Sequence, residues 1–146
     1  MSIVFRSPNS DQEFEQYFKF RWELLRKPLG LERGSEQDHL ERSAFHIAAF
    51  YNVHIIAVGR LQIENEDSAR IRYMAVDSNY RRQGVGSTIL KQLEQTAGEN
   101  NITTCWLLAR EEVVPFYLKN NYEIQGVANS EIDIPHQRMQ KLLFHN

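Results

Sequence analysis

The stretch AVDSNYRRQGVGSTILKQLEQ, residues 75–95, joins the end of an apolar strand to a long amphipathic helix through two arginines and two glycines. Val85, Ile89, Leu93 and Ala97 keep helical spacing up to Gly98, so the glycines fall in the turn that starts the helix. The first amides of a helix have no intrahelical partner and sit at the positive end of its dipole. With Gly84 and Gly86 allowing close backbone approach, and Arg81, Arg82 and Ser87 beside them, the turn suits an anion, and a diphosphate better than one carboxylate. No G-K-[ST] follows the glycines and no third glycine completes a dinucleotide fingerprint, which rejects two common phosphate loops. On these residues alone, a tight turn with solvated arginines is an equal alternative.

Upstream, residues 2–6 read as a short strand broken by Pro8-Asn9-Ser10. Ser10 and Glu13 form a capping box, and Phe14, Phe18, Trp22 and Leu25 then recur on one face of a helix that ends near Pro28 and Gly30. The polar segment LERGSEQDHLERS that follows is expected to be irregular and to act as a lid. Residues 45–51 and 54–63 read as a hairpin around Asn52-Val53, with a third strand over 69–76 making an antiparallel meander. Downstream come a strand over 103–109, a short helix over 112–119 that tolerates Pro115 only near its first turn, and strands over 122–127 and 138–144. With no repeat or linker, residues 1–146 are expected to form a single domain.

Composition narrows the function classes. Seventeen basic against nineteen acidic residues give a net charge of -2, which argues against nucleic acid or an anionic membrane as partner. One cysteine, Cys105, excludes an internal disulfide and a cysteine-rich zinc site; in a strand it reads as a buried structural thiol. His39, His46 and His54 are not spaced as a metal pair, so no metal is expected. A polar start and no membrane-length apolar run suggest a cytoplasmic protein.

Beyond these physical readings, ARIRYMAVDSNYRRQGVGSTILKQLE resembles the central motif of the GNAT superfamily of acyl-CoA-dependent N-acetyltransferases, whose [RQ]-x-x-G-x-[GA] pattern is met by Arg81, Gly84 and Gly86. AREEVVPFYLKNNYEIQG is similar to the next strand and helix of that family, with Asn121-Tyr122 where Gly-Phe or Gly-Tyr is usual. IDIPHQRMQK and RWELLRKPLGL resemble the I-P-H-x-x-M ending and the first helix of a small bacterial branch. The resemblance implies an α/β fold of the α+β kind: a mixed, mostly antiparallel central sheet of six to seven strands, helices on both faces, and a splay between the fourth and fifth strands.

It also implies a division of labour among residues. Arg81, Arg82, Gln83, Gly84, Val85, Gly86 and Ser87 would surround the diphosphate of acetyl-CoA, and the backbone of Met74, Ala75 and Val76 would pair with its pantetheine arm. Tyr117 would act as the general acid toward the departing thiolate, and a phenol of reference pKa about 10 is protonated at neutral pH. The family often places a glutamate where this chain has Arg70, which leaves Glu64, Tyr73, His46 and His136 as candidates to take the amine's proton. His136, behind Pro135, reads equally as a residue that holds the last strand. By analogy Arg21, Arg26, His46, Tyr73 and residues 29–39 border the acceptor. The implied reaction is direct acetyl transfer to a small-molecule or peptide amine in a ternary complex, a homodimer being left open. The alternatives are a non-catalytic acyl-CoA sensor and, disfavoured by its missing loop signatures, a nucleotide-binding regulatory domain.

Overall fold

The computed structural model describes residues 2–130 and 132–143. Seven strands form one sheet: β1 (Ile3–Arg6), β2 (Phe45–Tyr51), β3 (His54–Ile63), β4 (Ser68–Val76), β5 (Thr104–Arg110), β6 (Glu123–Ala128) and β7 (His136–Leu142), in the order β1-β2-β3-β4-β5-β7-β6. Every neighbouring pair is antiparallel except β4 and β5. Helix α1 (Asp11–Leu25) packs on one face, and α2 (Val85–Glu99) and α3 (Val114–Lys119) on the other. This is the expected mixed sheet. The last strand begins two residues earlier than the sequence suggested, and Phe144 lies outside the described residues.

The meander forms as its turn residues dictate. Asn52 takes a left-handed φ of 56° between β2 and β3, and the Asn65 side chain accepts from the amides of Asp67 and Ser68, at 2.9 Å each, to close the turn into β4. α1 starts where the capping box placed it: Ser10 Oγ accepts from Glu13 N at 3.1 Å. The Glu13 carboxylate accepts from Asn9 N and binds Arg6 through both oxygens, at 2.7 and 2.8 Å, which ties α1 to β1. The helix is rotated from its expected aromatic stripe. Tyr17 and Arg21 are its fully buried residues, and Trp22 stands at the margin, where Nε1 donates to Leu31 O at 2.9 Å. Pro115 lies in the first turn of α3, entered through a 3-10 turn at Glu111–Val113.

One irregularity shapes the sheet. Along β3 and β4, Val58 pairs with Ala75 and Arg60 with Arg72, so Tyr73 and Met74 both face Gly59. This two-against-one arrangement is a β-bulge, and Tyr73 enters it with φ 58°, a left-handed value uncommon outside glycine. β4 bends there. Its parallel pairing with β5 covers only Ser68–Arg70 against Thr104–Trp106, while β5 stays paired with β7 along its whole length, from Thr104↔Leu142 to Arg110↔His136. Beyond Arg70 the two strands part. Among the described residues no helix is long and apolar enough to cross a membrane.

Gly59 is fixed by space. A Cβ there would lie 2.8 Å from Ile89 Cγ2 and 2.8 Å from Met74 Sδ, because α2 packs directly over the bulge. Gly59→Ala should therefore destabilise the fold by about 1–3 kcal/mol, read as a lower urea midpoint. An unchanged midpoint would contradict the close packing of α2 on the bulge.

Candidate active site

The gap between β4 and β5 is the floor of a cleft of about 1050 Å³, whose walls are completed by the start of α2, by α3 and by the end of α1. Tyr73, Met74, Ala75 and Val76 line one side, and Leu108, Ala109 and Arg110 the other. α2 opens onto it. Gly84 is its N-cap with φ 77°, Arg82 is also left-handed with φ 64°, and no side chain caps the helix. Thr88 is the first residue of α2 to find a carbonyl, that of Gly84 at 3.0 Å, which leaves the preceding amides for a ligand. A Cβ on Gly84 would meet nothing within 4 Å, so open space lies over the turn.

Gly86 has a different reason to be glycine. A Cβ there would come within 3.2 Å of the Phe116 ring and 3.3 Å of Val76 Cγ2. It seats α2 against α3 and β4, and it lines the cleft together with Gly84. Arg81, Arg82, Val85 and Ser87 line the cleft as well. Gln83 does not, and its amide donates to Asn79 O at 3.4 Å.

Tyr117 is 6% exposed and sits on the cleft wall, its ring edge-on to Phe116 and Tyr122 with centroids 5.0 and 5.8 Å away. Among the described residues its hydroxyl has no hydrogen-bond partner. Burial raises its pKa well above the ordinary phenol value, so the proton stays on and can be donated. His136 opens β7 and also lines the cleft, only 5% exposed. Its Nδ1 lies 2.7 Å from Ile134 O and must donate to it, so in the neutral ring Nε2 is the acceptor. Holding the strand thus uses Nδ1 and leaves Nε2 for a second partner.

Arg26 and Tyr73 reach the cleft, but Arg21 and His46 do not. That expectation is corrected by their burial in a polar network between α1 and the sheet. Arg21, fully buried, donates to Glu36 O at 2.8 Å, to Glu41 Oε2 at 2.9 Å and to the Tyr17 hydroxyl at 3.2 Å. Arg60, also fully buried, binds Asp38 through both oxygens at 2.7 and 2.9 Å, Glu41 at 2.8 Å, and the Gln62 side chain. His46 Nε2 lies 2.7 Å from Glu41 O, and its Nδ1 is 2.9 Å from the Tyr17 hydroxyl, which is equally close to Gly59 O. Burial, aided by the charges of Arg21 and Arg60, lowers the imidazole pKa against the pull of Glu41, and both ring nitrogens are engaged. Glu64, another candidate base, is engaged with Gln62 Nε2 at 3.0 Å and lies off the cleft.

This network also corrects the lid. The irregular segment is pinned by Arg26 Nε to Ser35 O at 3.2 Å, by Arg21 to Glu36 O, and by the ion pairs of Asp38. Glu36 is fully buried, its carboxylate accepting from Gly34 N and Gln37 Nε2. Tyr73 lies within the ring of cations that results: the guanidiniums of Arg21, Arg72, Arg60 and Arg26 lie 4.0, 4.5, 4.9 and 5.4 Å from its ring centroid. Among the described residues no group of three His, Cys, Asp or Glu side chains is placed to hold a metal ion. Arg110, which sequence reasoning passed over, also lines the cleft, at the end of the strand that β4 leaves.

Asp38 gives a direct test of the pinning. Burial alone would raise its pKa, but hydrogen bonds from Arg60 and Leu40 N and the charges of Arg60 and Arg72 outweigh that and hold it at about 2. A lowered folded pKa means that the stabilisation is complete above the unfolded value near 4 and is lost as pH falls toward 2. Asp38→Asn should cost about 3 kcal/mol at pH 7, and its difference from wild type should shrink as pH falls from 4 to 2. A pH-independent difference in unfolding free energy would contradict the ion-pair origin.

Comparisons with known proteins agree with this architecture. The family model described as Acetyltransferase (GNAT) family matches residues 9–122. The Bacillus subtilis (strain 168) protein named "Uncharacterized N-acetyltransferase YjcF" is 26% identical over 133 residues, 90% of this chain and 94% of that protein. Among solved structures, a putative N-acetyltransferase from Lactobacillus plantarum superposes with a TM-score of 0.82 at 19% identity, covering 98% of each chain. The PaiA N-acetyltransferase from Thermoplasma acidophilum, solved in complex with coenzyme A, gives 0.79 at 19% identity over 98% of this chain and all of that one. The chain belongs to the acetyltransferase (GNAT) family.

Proposed function

We propose that the cleft transfers the acetyl group of acetyl-CoA to the amine of a small molecule or peptide by direct attack in a ternary complex. The observation that carries this reading is the uncapped start of α2, with Gly84 at φ 77°, opening onto a cleft lined by Tyr117, whose hydroxyl has no hydrogen-bond partner among the described residues. Residues 82–87 offer backbone amides and the arginines offer charge to the diphosphate, and open space at Gly84 lets it approach. The β4 edge beyond Arg70, left by β5, offers backbone groups to an extended arm. Acetyl-CoA supplies an activated thioester and a thiol leaving group. Tyr117 donates a hydrogen bond as thiolate charge develops; burial makes it a reluctant acid but desolvates the thiolate too, so both affinities for the proton rise together.

The amine must be neutral to attack. A lysine-type amine of pKa about 10.4 is neutral roughly once in 2,500 at pH 7, equivalent to about 4–5 kcal/mol. His136 Nε2 is the acceptor on the cleft wall that can relieve this, directly or through a water. The chain is assigned to the cytoplasm in this reading, which suits its one thiol: burial, with a lesser push from the Glu94 charge, raises the Cys105 pKa to about 12 and keeps it unreactive.

Release of free thiol from acetyl-CoA across an amine panel tests the activity, and a tight cofactor complex without acceptor-dependent release would instead fit a sensor. Tyr117→Phe should lower kcat by about 10²- to 10⁴-fold at nearly constant acetyl-CoA affinity. Survival of turnover within about threefold would move the acid role elsewhere. His136→Gln should lower kcat by about 10²-fold with each of two acceptors of different pKa, at nearly constant acetyl-CoA affinity. Turnover within about threefold of wild type with both acceptors would remove His136 from proton transfer.

A further inference from the structure

We infer that the cleft holds a carboxylate-binding subsite centred on Arg110, so that the acceptor is an amine carrying a carboxylate a few bonds away. This rests on the acetyl-transfer reading above and adds to it the chemical class of the acceptor.

The strand geometry fixes where Arg110 points. Cys105, Leu107 and Ala109 belong to the core beneath α2 and α3, so the alternating Trp106, Leu108 and Arg110 face the side of α1. On that side Arg110 is paired across the ladder with His136, whose Nε2 is the proposed proton acceptor. Paired residues lie about 5 Å apart at Cβ, so one small molecule spans both. A carboxylate on Arg110 therefore brings a nearby amine beside His136.

The guanidinium is committed to little else. Nη2 donates to Leu25 O at 2.9 Å, which also holds Arg110 against the end of α1. Among the described residues it forms no ion pair, and its other N–H groups have no acceptor. Burial lowers its pKa, against a small opposing pull from Glu112, which marks a cation short of compensating charge. A carboxylate is the group that meets a planar, half-buried guanidinium in a two-pronged way.

The surroundings select in the same sense. Arg26, Arg70 and Arg72 line the cleft with Arg110, whereas Glu112 is the sole carboxylate lining it among the described residues. A polycationic acceptor finds no second carboxylate on this wall among the described residues.

The test is binding of product-like probes to the coenzyme A-saturated protein by calorimetry. N-acetylalanine carries the carboxylate of a free amino acid, and N-acetylaspartic acid α-amide that of an acidic peptide residue. N-acetylalaninamide, N-acetylasparagine amide and N-acetyllysine amide are the neutral and cationic references. At least one carboxylate probe should bind about tenfold or more tighter than its amide, with Arg110→Gln bringing the two within about twofold and Arg110→Lys keeping part of the preference. Which carboxylate is preferred tells a free amino acid from a peptide acceptor. Coenzyme A affinity unchanged within about threefold certifies that both variants fold. Equal or tighter binding of the amide or lysine probes, or a preference that survives Arg110→Gln, would overturn the subsite. Failure of wild-type protein to bind coenzyme A would overturn the transferase reading, and the subsite with it.

Discussion

Two residues of β4 facing one residue of β3 is the constraint on which the rest of the molecule depends. The extra residue bends β4 away from β5, and that separation is the cleft. The bulge persists because it is held from both faces. α2 presses Ile89 and Leu93 onto Gly59, and on the other face the Tyr17 hydroxyl reaches Gly59 O at 2.9 Å. A left-handed tyrosine is costly in isolation, by roughly 1–3 kcal/mol, and is stable only where its surroundings over-determine it. Here the ring of Tyr73 is enclosed by four guanidiniums.

Those guanidiniums explain how a segment without regular structure borders an ordered cleft. Arg21 and Arg60 are removed from water entirely, a large desolvation cost that only well-placed partners offset. Asp38 and Glu41 supply the charge, and the carbonyls of Ser35 and Glu36 supply further acceptors. The irregular segment is thereby determined by side chains from α1, β3 and β4 rather than by its own propensity. Its place in the fold is an electrostatic one, sensitive to the loss of a single carboxylate.

Much of this was legible in the sequence wherever the signal is local. The capping box at Ser10, the Asn52 turn, the spacing of Val85, Ile89 and Leu93, and the glycine turn before them each depend on residues within one or two turns of chain. What was not legible depends on partners distant in sequence. Arg21 reads as a residue bordering the acceptor until Glu41 is known to face it, and His46 as a candidate base until Tyr17 and Glu41 close on both nitrogens. Gly59 carries no turn signal at all, since its requirement is the space taken by Ile89 and Met74. Arg110 could have been singled out by a simpler cue: an arginine ending an otherwise apolar strand, with no acid at pairing distance on that strand.

The short seam between β4 and β5 has a mechanical consequence. β1 to β4 form one hydrogen-bonded leaf and β5 to β7 another, joined edge to edge through only three residue pairs at one end. The molecule is built like a book bound along part of its spine, with the strongest cooperativity inside each leaf and the weakest between them. In the function proposed above, a ligand arm lying along the open part of the spine adds the missing rungs, so occupancy and rigidity become one property.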